Sequence, residues 1–197
     1  MFRYLETIRY DGGIFQNLSY HKSRFNRTRK DIFKLDPIDL LISIPQNLNS
    51  QVTYRVRVLY RESIDEVQFI PYLPKVISSF KFVDGGDIEY SHKSEDRESL
   101  NSLVQSVTGE PIIVKGGSIT DTTFGNLIFF DGRDWLTPDT PLLRGVERER
   151  LLDNGLIRES QITVTDLVKF STFKMINAML PFDIAPVYSV DIIESIQ

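Results

Sequence analysis

Apolar and polar residues alternate over residues 2–20 and break at Asp11-Gly12-Gly13, which predicts a β-hairpin pairing residues 4–9 with 14–18. Beyond it Phe25, Thr28 and Ile32 recur at helical spacing within 21–35, and Asp36-Pro37 closes that helix. Leu40, Leu41 and Ile44 group over 37–48 and predict a second helix, which Pro45 ends or bends. The period then returns to two: QVTYRVRVLY at 51–60 reads as a strand, and 68–72 continues the same sheet. Together these elements compose a small α+β unit. Paired glycines and acids at 82–87 interrupt both periods, so the chain divides into residues 1–83, a linker at 84–89 and a larger unit at 90–197.

In the larger unit helix and strand alternate. Residues 94–107 place Leu100, Leu103, Val104 and Val107 on one helical face directly after Lys93. Strands follow at 111–114 and 126–130, parted by Lys115-Gly116-Gly117-Ser118 and the polar run Thr120-Asp121-Thr122-Thr123. A short helix is expected from 145 to 152, stopped at Asn154-Gly155. A strand at 157–164, a short helix at 165–170 and strands near 174–179 and 187–192 complete the chain.

Composition narrows the chemistry. The 197 residues carry 23 Lys+Arg against 27 Asp+Glu, a net charge of −4, which gives no general drive toward nucleic acid or an anionic membrane. With no cysteine, disulfides, thiolate zinc sites, iron–sulfur clusters and cysteine nucleophiles are excluded, and two histidines leave little for a metal site. No run approaches the roughly 18 apolar residues of a spanning helix, and the opening MFRYLETIRYD has no apolar signal core. A cytoplasmic protein is expected.

Three features carry candidate chemistry. Lys93, in YSHKSEDR, sits where a strand gives way to a helix; it is either a solvated lysine or the one side chain here suited to a Schiff base. Asp121, in the polar island ITDTTFGN, either caps a turn or pairs with a protonated ring nitrogen. Gly145 opens a helix whose exposed amides bind water, a cap or a phosphate.

Five segments in order, LETIRYDGGIFQNLSYHKSRF, YSHKSEDR, GSITDTTFGNLIFF, WLTPDTPLLRGVERERLL and KMINAMLPF, resemble the class IV pyridoxal-phosphate enzymes of fold type IV over almost the whole chain. This family includes aminodeoxychorismate lyase and the branched-chain and D-amino acid aminotransferases. The resemblance implies a two-domain α+β fold like that of D-amino acid aminotransferase, shortened at the N-terminus, and a homodimer. It implies pyridoxal 5'-phosphate as cofactor and a small-molecule amine as substrate, with no metal, nucleic acid or membrane partner. Lys93 becomes the cofactor-bearing lysine and proton carrier. Arg24, in His21-Lys22-Ser23-Arg24, grips the phosphate with its guanidinium fork, while the neighbouring Arg27 and Arg29 are expected at the exposed surface. Gly145 and Val146 donate amides to the phosphate, and Asn177-Ala178 occupy the family's late phosphate-contacting position. Asp121 stands where the family usually has glutamate, the partner of the ring nitrogen, with Thr122 beside it. Thr7 and Arg97 are the implied substrate contacts.

The departures bear on reaction type. The family's opening segment has no counterpart, Leu5 replaces the active-site tyrosine of D-amino acid aminotransferases, and no Arg/His-containing loop follows residue 60. Lys93-x-x-x-Arg97 and Asn177-Ala178-Met179-Leu180-Pro181 resemble the lyases more than the aminotransferases, although Arg97 also suits a surface ion pair. The expectation is an aminodeoxychorismate lyase of folate biosynthesis. The alternatives are an aminotransferase for branched-chain or D-amino acids and a non-catalytic paralogue, against which Lys93 itself argues.

Overall fold

The computed structural model describes residues 2–194. These residues form two compact units: 2–74 with 92–96, and 75–91 with 97–194.

In the first unit strand β1 (Tyr4–Asp11) turns through Gly12 and Gly13, both at positive φ (55° and 81°), into the short β2 (Ile14–Phe15). Helix α1 (Leu18–Thr28) follows, extended by one wide turn at Arg29–Phe33. Strands β3 (Tyr54–Tyr60) and β4 (Ile64–Pro71) complete an antiparallel sheet in the order β2-β1-β3-β4. Alternation aims Ile8 and Tyr10 of β1 and Tyr54, Val56, Val58 and Tyr60 of β3 at one core, where Phe25 of α1 joins them. The helix expected over 37–48 does not form: the segment is irregular, burying Leu40 while Leu41 and Ile44 stay exposed. Pro37 and Pro45 each lack an amide to donate, and the three apolar residues have no single surface to cover.

The returning segment 92–96 adds to the edge of β1. Leu5 N donates to Lys93 O at 2.9 Å, Glu95 N donates to Arg3 O at 2.9 Å, and the Arg3 fork grips the Glu95 carboxylate at 2.7 and 2.8 Å. Lys93 therefore belongs to the first unit, and its helix, α2 (Glu98–Ser106), starts five residues after it instead of one.

The second unit is built on a nine-stranded sheet. In chain order its strands are β5 (Phe80–Asp84), β6 (Glu110–Lys115), β7 (Ser118–Thr122), β8 (Asn126–Phe130), β9 (Trp135–Pro138), β10 (Arg158–Ser160), β11 (Thr172–Ile176), β12 (Tyr188–Ser189) and β13 (Ile193–Glu194). The main path runs β10-β9-β8-β7-β6-β5-β13, with β11 paired to β8 and β12. Helix α3 (Val146–Asp153) lies between β9 and β10 and stops at Gly155, φ 65°. Phe80, Phe82, Ile112, Ile119, Leu127, Phe129, Phe173 and Met175 form the main core. Two sequence expectations shift here. The polar run at 120–123 is strand β7, because its side chains find buried partners, and the expected linker at 84–89 lies inside this unit. Phe80 and Phe82 anchor β5 in the core, and Gly85 and Gly86 form the turn that ends it, where a methyl group at Gly85 would lie 2.5 Å from Ile113. Among the described residues no helix is long and apolar enough to cross a membrane.

Candidate functional site

The inward stripe of β1 that carries Ile8 and Tyr10 also carries Glu6, a fully buried carboxylate. His21 and Arg24, one turn apart on the buried face of α1, meet it. Glu6 Oε1 accepts from Arg24 Nε at 2.9 Å, and Oε2 accepts from Arg24 Nη2 at 2.5 Å. Oε2 also lies 2.6 Å from His21 Nδ1. Burial alone would raise the Glu6 carboxyl, but Arg24 and His21 outweigh it and hold it well below the usual carboxylate range. Burial lowers His21, assisted by the positive charges of Arg24 and Lys93 and opposed by Glu6. His21 Nε2 is buried with no hydrogen-bond partner among the described residues. One carboxylate thus sits beside Arg24 and His21, with the Lys93 charge near enough to act on His21.

The opposite face of the same sheet is also basic. Thr7 pairs in register with Arg57, and Arg9 with Arg55. Arg9 binds Asp11 at 2.7 Å, Arg57 donates to Gln68 at 3.1 Å, and Arg55 Nε is buried without a hydrogen-bond partner. Tyr72 is near enough for Arg9 and Arg55 to oppose the upward shift that burial gives its phenol. Like charges on opposed cross-strand positions are unfavourable unless an anion joins them.

In the second unit Asp121 is buried at the end of β7. Its Oδ1 accepts from Asn126 Nδ2 at 2.7 Å and its Oδ2 from Leu143 N at 2.9 Å. Burial pushes its carboxyl up to about 6, against the lowering effect of Leu143, Asn126 and Arg148. Two residues on, Thr123 O accepts from Arg97 Nη2 at 2.6 Å, and the Arg97 guanidinium lies 5.8 Å from the Tyr90 ring centre. Arg97 is thus tied to backbone at the Asp121 loop, with no ion pair among the described residues. The Thr122 hydroxyl closes its own turn, bonding Gly125 O and N at 3.1 Å, so that its side chain serves the loop. Asn177 holds a second turn by accepting from Met179 N and Leu180 N at 2.8 and 2.9 Å, and reaches Phe124 O at 3.2 Å. Ala178 lies within that turn, beside the Asp121 loop. Gly145 caps α3 and Val146 is its first, buried residue.

Of the sequence candidates, Thr7, Arg24 and Lys93 therefore fall in the first unit, and Arg97, Asp121, Thr122, Gly145, Val146, Asn177 and Ala178 in the second. Arg29, expected at the surface, is buried, donating to Glu62 O and to Asp36 O at 3.3 Å, with its guanidinium 5.5 Å from the Phe25 ring centre. Sequence reasoning missed Glu6 and Asn126. An acid in phase with Ile8 and Tyr10 on a strand, facing a helix that carries His-x-x-Arg, was the available signal for Glu6.

Comparison with known proteins shows what the chain is similar to. The family model for class IV amino-transferases matches residues 107–190. An uncharacterized protein of Haemophilus influenzae (strain KW20 / Rd) is 37% identical over 186 residues, covering 91% of this chain and 98% of that protein. Among solved structures, a candidate 4-amino-4-deoxychorismate lyase from Haemophilus somnus 129PT is 30% identical with a TM-score of 0.80, covering 92% of this chain and 98% of that one. The PLP-bound form of a hypothetical aminotransferase from Mycobacterium tuberculosis shares 15% identity at a TM-score of 0.75, covering 98% of this chain and 81% of that one.

Proposed function

Given that the chain belongs to the class IV aminotransferase family, has its two-domain fold and takes pyridoxal 5'-phosphate as its cofactor, we propose that it is an aminodeoxychorismate lyase. It converts that substrate to 4-aminobenzoate and pyruvate for folate synthesis, as a cytoplasmic homodimer.

The residues present fit the cofactor. Asp121 is a buried acceptor suited to a ring N–H, and His21 Nε2, beside Arg24, is a buried polar atom with no hydrogen-bond partner among the described residues. When bound, the cofactor provides an electron sink for the substrate carbon that loses its proton. Lys93 Nζ is the amine that would hold the cofactor and would serve as the base for the proton on the substrate's ring carbon. Asp121, held in place by Asn126 and the Leu143 amide, would keep the ring nitrogen protonated. The Nε–Nη2 fork of Arg24, expected on the phosphate, is instead taken by Glu6, so Arg24 would bind the phosphate through its remaining Nη protons, with Glu6 fixing the guanidinium's orientation.

The observation that carries the lyase reading is the face of β1 and β3 that bears Thr7, Arg9, Arg55 and Arg57. A ring substrate with two carboxylates matches three guanidiniums, whereas a branched aliphatic side chain requires apolar walls. The likeness to the Haemophilus somnus structure supports the same choice. The test is turnover of aminodeoxychorismate with no keto acid present. Release of 4-aminobenzoate and pyruvate supports the lyase. Absence of product, together with bleaching of the cofactor absorbance by branched-chain or D-amino acids and its recovery with 2-oxoglutarate, assigns an aminotransferase.

A further inference from the structure

Strands β7 and β8 meet at one register pair, Asp121 opposite Asn126. Asn126 is buried, and its Nδ2 donates twice, to Asp121 Oδ1 at 2.7 Å and to Leu143 O at 2.8 Å. Leu143 N returns a bond to Asp121 Oδ2 at 2.9 Å, closing a ring of three residues. Both amide protons of Asn126 are therefore committed inside the protein, and any effect it has on a ligand passes through the groups it holds.

The other end of the same side chain explains Gly145. This glycine has φ −72° and ψ 145°, a conformation open to every residue, so its backbone does not demand glycine. Space does: a methyl group at 145 would lie 2.0 Å from Asn126 Oδ1, far inside contact distance. The start of α3 can pass this close only because Asn126 and Gly145 are matched. One side chain thus fixes Asp121 by its amide protons and the Leu143–Gly145 backbone by its nitrogen and its oxygen face.

We propose that Asn126 is a positioning residue that locks Asp121 and the amides of Gly145 and Val146 into one geometry, so that the cofactor's ring nitrogen and its phosphate are met in register. This rests on the cofactor reading given above. An asparagine at 126 is the residue the arrangement requires: aspartate would set a second carboxylate against Asp121 and remove both donors, and alanine would release all three contacts.

The test is a double-mutant cycle of Asn126→Ala and Gly145→Ala on the apoprotein, read as the dissociation constants of pyridoxamine 5'-phosphate and of pyridoxamine, which lacks the phosphate. Gly145→Ala in the wild-type background drives its methyl into Asn126 and weakens pyridoxamine 5'-phosphate binding by about tenfold or more; in the Asn126→Ala background the same change costs less than about threefold. Asn126→Ala also shrinks the advantage of the phosphorylated over the unphosphorylated ligand, which a loss of folding stability alone would leave intact. If Asn126→Ala does not fold, Asn126→Ser, which retains one donor, carries the same comparison. Additive effects around the cycle, or an unchanged ratio between the two ligands, overturn the assignment. Failure of the wild-type apoprotein to bind pyridoxamine 5'-phosphate at all overturns the cofactor reading itself, and the assignment with it.

Discussion

Replacing Glu6 by glutamine keeps the volume of a fully buried side chain and removes only its charge. Glu6 accepts three bonds, from Arg24 Nε at 2.9 Å, Arg24 Nη2 at 2.5 Å and His21 Nδ1 at 2.6 Å. An amide offers one oxygen to these donors and turns its own NH2 on the others, while the guanidinium stays charged at every accessible pH. Breaking a buried ion pair by removing one partner costs about 3–5 kcal/mol, out of a total stability of roughly 5–15 kcal/mol. For a chain of this length each kcal/mol moves the unfolding midpoint by about 2–4 °C, so Glu6→Gln should lower the midpoint of the apoprotein by about 6–20 °C at neutral pH. The pH dependence has a definite sign. Because the folded carboxyl lies below its ordinary value of 4.5, the stability it supplies is complete above that value and is lost as pH falls through the folded one. The gap between wild type and Glu6→Gln in thermal unfolding followed by circular dichroism therefore narrows on acidification below about pH 5. A midpoint shift under about 2 °C at neutral pH, or a gap that widens in acid, refutes the reasoning.

Asp121 behaves oppositely, since burial raises its carboxyl from 3.8 to about 6; its favourable state is the protonated one, and that advantage is lost as pH rises through 6. Asp121→Asn should remove this pH dependence of apoprotein stability around pH 6 and weaken pyridoxamine 5'-phosphate binding, measured as unfolding midpoints across pH with and without that ligand. Arg24→Lys keeps a cation beside Glu6 but loses the fork, and should weaken cofactor affinity by roughly tenfold or more, against less than about twofold for Arg27→Ala, by equilibrium titration of the apoprotein. Equal losses at the two positions would indicate a diffuse basic surface instead of a phosphate site.

How much of this was legible in the sequence depended on whether a signal was local. The hairpin turn at Gly12-Gly13, the amphipathic face holding Phe25 and the stop at Gly155 are set by residues within one element, and the structure has all three. The helix expected at 37–48 does not form because Leu40, Leu41 and Ile44 have no common surface to cover; of the three only Leu40 is buried. Strand β7 escaped notice because Thr120, Asp121 and Thr122 lack apolar alternation, yet each is buried, and Thr120 and Thr122 bond backbone carbonyls while Asp121 bonds Asn126. Pairings distant in the chain, such as Glu6 with Arg24 and Gly145 against Asn126, exist only once strands are in register, and no spacing rule reveals them. The backbone around Lys93 is also hidden from the sequence, because the amphipathic period suggests a helix starting directly after it, whereas the lysine is held by pairing with β1 and the helix starts at Glu98.

The account stands most directly on Lys93. The purified protein, saturated with pyridoxal 5'-phosphate, reduced with borohydride and digested, should yield one pyridoxyl-modified peptide by mass spectrometry, the one containing Tyr90-Ser91-His92-Lys93, and Lys93→Ala should abolish it. Modification at Lys81, Lys115 or another lysine in place of Lys93, or no stoichiometric adduct on the wild type, would contradict it.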